Sequence, residues 1–126
     1  MIRRRPGFTN QGDSVNTPDA SFDPSGFSYR AFISYSRADT ELVNDLYARL
    51  TRFRAPSSLR KTRGAYGSPP RSFRVFLDRM SIEAGGSVPD AIKRKLDESA
   101  FLVVICSKAA RDSFWVSEEI RYFLSI

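Results

Sequence analysis

Histidine is absent from the 126 residues, and cysteine occurs once, as Cys106. Without histidine there is no Ser-His-Asp or Cys-His triad, no imidazole general base and little basis for a zinc site. Any catalysis must therefore rest on carboxylates, and no metal is expected. A single cysteine forms no internal disulfide, which fits a reducing compartment. Long apolar runs are also missing. The longest, Ala100 to Cys106, falls far short of the roughly 18 residues of a membrane span and has the length of a buried strand. Arg3, Arg4 and Arg5 are basic, but Pro6 follows and no apolar segment comes after it, so the N-terminus does not read as a targeting signal. These features lead us to expect a cytoplasmic location with no membrane span. Tryptophan occurs once, at Trp115.

The net charge is +6, and it is concentrated. Between Arg52 and Arg79 eight basic residues face the single acid Asp78, a local excess larger than that of the whole chain. A basic loop suits anionic partners. Aromatic residues are sparse within it, so stacking on single-stranded nucleic acid has little support and nucleic acid is not an expected partner. A loop kept in solution by its charge explains the stretch equally well.

Residues 1–28 are rich in Gly, Pro, Ser, Asn and Asp without periodicity, the composition of a disordered leader. Order is expected from Tyr29. The β-branched and aromatic content of Tyr29–Tyr35 predicts a strand. The polar turn Ser36–Asp39 follows, and then Leu42, Val43, Leu46, Tyr47, Leu50 and Phe53 at helical spacing. Arg54 to Arg71, with Pro56, Gly64, Gly67, Pro69 and Pro70, reads as a long loop. Ser72–Leu77 is a second strand and Asp78–Val88 a loop containing Gly85 and Gly86. Pro89 suits the first turn of a helix carrying Val88, Ala91, Ile92 and Leu96 on one face. Ala100–Ser107 is nearly all apolar, as a central parallel strand covered on both faces must be. A last helix begins near Asp112 or Ser113 and carries Val116, Ile120, Phe123 and Leu124.

The order β-α-β-α-β-α with right-handed crossovers predicts an α/β fold, a parallel sheet with helices on both faces. Ligands of such sheets lie outside the carboxyl ends of the strands. There the sequence places Ser36–Asp39, Asp78–Val88 and Ser107–Phe114, which hold most of its unusual polar residues. A receiver-like domain, with a Mg²⁺ site after the first strand, would need an acidic cluster there; Ser36-Arg37 argues against it.

Three segments in series, FISYSRAD (Phe32–Asp39), FLDRMSIEAGGSVPDAI (Phe76–Ile92) and SFWVSEEI (Ser113–Ile120), resemble the three boxes of a TIR (Toll/interleukin-1 receptor) domain. The resemblance covers Tyr29 to Ile126, and the Arg/Pro-rich loop before the second strand makes it closest to the bacterial type. It implies a flavodoxin-like fold of five parallel strands. Only three βα units are found here, so residues 29–126 are expected to be a C-terminally truncated TIR domain lacking strands four and five. Such domains either assemble with other TIR domains as non-catalytic adaptors, or cleave NAD at the nicotinamide–ribose bond in signalling and defence. The resemblance thus implies NAD as a substrate rather than a cofactor, and homo-oligomers on activation.

In the cleaving group one glutamate follows a tryptophan by four residues. Trp115 and Glu119 match, which makes Glu119 the candidate catalytic residue of an NAD+ nucleosidase. The chemistry of that pairing stands by itself. Residues four apart share a helix face. Breaking the bond to nicotinamide builds positive charge on the ribose, which a carboxylate stabilises. An indole face stacks on rings or shields the cation. Equally, Glu119 could be a solvated helix carboxylate and Trp115 a core anchor. Ser36 and Arg37 follow the first strand where a diphosphate would lie, and guanidinium geometry suits phosphate. Asp78 reads as a loop organiser with a lesser claim to touch ligand, and Tyr35 as structural. Glu83 belongs to the loop that, in the family, gates the site and mediates assembly; Ile82-Glu83-Ala84-Gly85 without proline resembles the cleaving group. Cys106 reads as an inert buried small residue.

Overall fold

A computed structural model of the chain describes residues 1–3, 24–61, 72–79 and 88–126. A sheet of four strands runs through it: β1 (Ile2–Arg3), β2 (Tyr29–Ser34), β3 (Val75–Leu77) and β4 (Ser99–Val104), in the order β1-β4-β2-β3. β2 is central and parallel to both β3 and β4, with Phe32 opposite Phe76 and Leu102. Helices connect the parallel strands in chain order: α1 (Thr40–Arg52) with the short α2 (Ser57–Arg60) between β2 and β3, and α3 (Asp90–Asp97) between β3 and β4, which lie on opposite sides of β2. After β4 come the short α4 (Lys108–Arg111) and α5 (Phe114–Ser125). This is the α/β arrangement that the alternation of segments predicts and the flavodoxin-like one that the resemblance implies, and the three expected strands pair parallel with β4 beside β2.

Successive side chains alternate between the two faces of the sheet, and helices cover both, so both sets of positions on the central strands are mostly apolar. Ala31, Ile33, Val75, Leu77 and Phe101 point to the face covered by α1, where Val43 is buried and Tyr47 and Leu50 pack on the cluster. Phe32, Leu102 and the flanking Phe76 and Val104 point to the other face, where Ile92 and Leu96 of α3 and Phe123 of α5 close a second core. Phe32 stacks on Phe76 with ring centroids 5.3 Å apart. Helices on both faces leave no side of the central strands wet.

Several boundaries differ from the expectation. β1 lies inside the stretch 1–28 read as a disordered leader, and a 3₁₀ turn at Pro24–Gly26 closes it; residues 4–23 lie outside the described residues. β1 pairs antiparallel with β4, Ile2 opposite Leu102 and Arg3 opposite Phe101. The β4 edge is thus met by a short strand from the N-terminus. Composition alone could not show this, because two residues borrow their order from the edge they join. α2 interrupts the predicted long loop, and β3 begins at Val75 rather than Ser72. Leu42 and Leu124, counted from spacing as core positions, are exposed. Their helices are amphipathic, but each stripe is narrower than its apolar residues. Ala91 is exposed as well. Cys106 lies beyond the end of β4 and is exposed, not buried, because the strand stops at Val104.

Candidate functional site at the carboxyl ends of the strands

The polar segments after β2 and β4, with Asp78 and Arg79 after β3, meet at the carboxyl ends of the strands, and local hydrogen bonding fixes the first two. After β2, Ser36 caps a 3₁₀ turn at Arg37–Asp39, its hydroxyl accepting from the Ala38 amide at 3.4 Å. Thr40 then donates to the Arg37 carbonyl at 2.6 Å as α1 begins. After β4, Ser107 accepts from the Ala110 amide at 3.0 Å, capping α4, and donates to Asp39 Oδ2 at 2.5 Å. That bond ties the first loop to the third across 68 residues of chain. Ser113 caps α5 by accepting from the Val116 amide at 3.4 Å, which sets the helix start where the sequence places it.

Among the described residues, two neighbouring cavities open beside the ends of β2 and β3. One, of about 320 Å³, is lined by Tyr35, Ser36, Arg37, Ala109, Asp112, Ser113 and Trp115. The other, of about 280 Å³, is lined by Tyr35, Arg37, Thr40, Asn44, Asp78 and Arg79. They share Tyr35 and Arg37, so the two form neighbouring parts of one cleft. The structure therefore brings together Ser36, Arg37, Asp78 and Trp115 from the sequence-predicted set. Glu83 lies outside the described residues.

Glu119 is not among the residues lining either cavity. It is 4% exposed. Its Oε2 accepts a hydrogen bond of 2.5 Å from Ser34 Oγ, and Asp78, also 4% exposed, is near enough for its charge to be felt. Burial pushes the Glu119 carboxyl up from 4.5 to about 7; the Ser34 hydrogen bond opposes that rise and the Asp78 charge adds to it. Trp115, one turn earlier on α5, reaches the cavity while its ring also packs on the second core. Glu118, the adjacent residue, turns away and pairs with Arg121 at 2.5 Å.

Three residues at the site were not singled out by sequence reasoning. Tyr35, read as structural, lines both cavities. Its hydroxyl titrates above the ordinary value, chiefly through burial, then through Asp78, against the opposing charges of Arg79 and Arg37. Arg79 lines the second cavity with its guanidinium 5.8 Å from the centre of the Tyr47 ring. Ser34 holds Glu119. A signal for Ser34 was present: a hydroxyl in a strand whose both faces are covered must find a buried partner. Arg79 carried no such signal within a run of basic residues.

Residues 70–126 match the TIR domain family. The chain carries a TIR domain. It is also similar to NAD(+) hydrolase ApTIR of Actinoplanes sp., at 36% identity over 98 residues, which is 77% of this chain and 12% of that relative. The TIR domain described here thus spans a small part of the length of the protein it resembles. No solved structure matches the chain. Among the described residues of the domain, no helix is long and apolar enough to cross a membrane.

Proposed function

We propose that this TIR domain cleaves NAD at the nicotinamide–ribose bond, with Glu119 as the catalytic carboxylate. The observation that carries the reading is a single buried carboxylate on α5, one helical turn from a tryptophan that lines a cleft at the carboxyl ends of the strands. The similarity to a protein named for NAD hydrolysis supports it.

The chemistry asks little of the protein. As the bond to nicotinamide breaks, its electron pair leaves with the neutral base and positive charge develops on the ribose. A carboxylate held in a water-poor site stabilises that charge more strongly than it would in bulk solvent. Water then adds to the sugar carbon and releases a proton, giving ADP-ribose. No general acid is needed, so the absence of histidine is no obstacle. Trp115 and Tyr35 offer aromatic walls for the departing ring. Arg37 and Arg79 offer guanidinium groups for the diphosphate. Ser36, whose hydroxyl caps the turn that presents Arg37, acts beside them, and Asp78 sets the local field around Glu119.

Assembly with other TIR domains, through the loop that includes Glu83, rests on the family resemblance and would bring copies together for signalling. The test is nicotinamide release from NAD by the purified chain, dilute and at high density on a support. Release in either state is expected. If neither state releases nicotinamide while self-association persists, the domain is a non-catalytic adaptor.

A further inference from the structure

We propose that Ser34 is the positioning residue for Glu119, fixing the orientation and charge state of the carboxylate through a hydroxyl that touches no substrate. The proposal rests on the NAD-cleaving reading for its kinetic arm but not for its spectroscopic one.

Ser34 ends β2, and the alternation along the strand sets it on the same face as Phe32, towards α5. It is 1% exposed. A hydroxyl brings one donated proton, and here that proton goes to Glu119 Oε2 at 2.5 Å, across 85 residues of chain. The backbone of Ser34 is held independently: its carbonyl accepts from the Ile105 amide at 3.0 Å, and it pairs with Val104 in the ladder. The side chain is therefore not needed to build the strand, and its bond to Glu119 can be removed with the sheet intact.

The other groups around Glu119 do not hold it in the same way. Asp78, after β3, and Tyr35, after β2, are the titratable groups whose charges couple to it. β4 presents the apolar Leu102 and Val104 to that face, and α3 presents Ile92 and Leu96. Asp78 repels a charged carboxylate and burial disfavours it. Ser34, whose hydroxyl donates to the carboxylate, favours the charged form. Without it the carboxylate should keep its proton to higher pH and be free to rotate about its side-chain torsions.

The test compares Ser34→Ala and Ser34→Thr with the unaltered chain, under conditions in which the latter cleaves NAD. Ser34→Ala should lower kcat at pH 7 by about tenfold or more, since a hydrogen bond to a charged group carries at least that much. KM should stay nearly unchanged. The deficit should narrow as the pH rises, because raising the pH restores the carboxylate. Ser34→Thr, which keeps the hydroxyl, should recover most of the loss. Separately, the Glu119 carboxyl can be titrated by carbon-13 NMR of side-chain-labelled glutamate, with Glu119→Gln giving the assignment. Its midpoint should move up in Ser34→Ala. An unchanged midpoint overturns the proposal, as does a kcat loss equal at every pH or a faster Ser34→Ala enzyme. If the unaltered chain cleaves no NAD but the midpoint still moves, the positioning role stands and the NAD reading fails.

Discussion

Trp115 and Glu119 lie one turn apart on α5, yet the first lines the open cavity and the second is buried against Ser34 with the charge of Asp78 nearby. The helix passes from the cleft into the protein between them. A stacking wall and a desolvated carboxylate are thereby supplied by a single element whose start is fixed by the Ser113 cap.

Glu119→Gln should abolish nicotinamide release from NAD, since the amide keeps the size and the hydrogen bond from Ser34 but loses the charge. Glu118→Gln should retain activity close to that of the unaltered chain. Glu118 points to Arg121, and a partly exposed pair of this kind contributes well under about 1 kcal/mol. Equal activity of Glu119→Gln and the unaltered chain would remove Glu119 from the mechanism.

The pH dependence of kcat should rise with a midpoint near 7, the point to which burial pushes the Glu119 carboxyl. The ionised form is the one that stabilises the ribosyl cation, so activity grows as the proton leaves. A profile already flat from pH 5 would mean that the working carboxylate is not this buried one. The profile is read from initial rates at saturating NAD.

The same group imposes a stability slope. The folded carboxyl titrates near 7 and the free side chain near 4.5, so between those values the folded state holds a proton that the unfolded state has lost. Stability therefore falls as pH rises through that window and levels above it, by about 3 kcal/mol in all. Glu119→Gln should flatten this slope and unfold at a higher denaturant concentration than the parent at pH 8. Urea titrations at pH 5, 6, 7 and 8 would show it, and an unchanged slope would count against the buried position.

Ser107→Ala should cost about 1–2 kcal/mol, because it removes both the cap of α4 and the bond to Asp39. The loop carrying Ser36 and Arg37 loses its tie to the opposite wall, so KM for NAD should rise more than kcat falls. Thermal unfolding and steady-state kinetics check the two effects separately.

The alternation of strands and helices, the parallel sheet and the two-sided core were legible in the sequence, because period and apolarity are local properties that survive without knowledge of partners. Val43, Tyr47 and Leu50 on α1, and Ile92 and Leu96 on α3, lie where their spacing puts them. Ser36, Arg37 and Asp78 were marked by their place after the strands, and Trp115 by its spacing to Glu119 in the family pattern. Leu42 and Leu124 show the limit: spacing says which residues share a face, but not how wide a face the neighbours cover. β1 shows another, since Ile2 and Arg3 form a strand only because the β4 edge offers them hydrogen bonds.

Glu119 was visible in the sequence as a residue type in a pattern, but its environment was not. Burial, the bond from Ser34 and the charge of Asp78 come from positions 85 and 41 residues away along the chain, brought together by strand order rather than by spacing. The sequence by itself determined the three parallel strands, the main helices between and after them, and which carboxylate follows the tryptophan. Only the tertiary structure decided that this carboxylate is desolvated and titrates near neutrality, because desolvation depends on what the rest of the chain packs around a group and not on its neighbours in sequence.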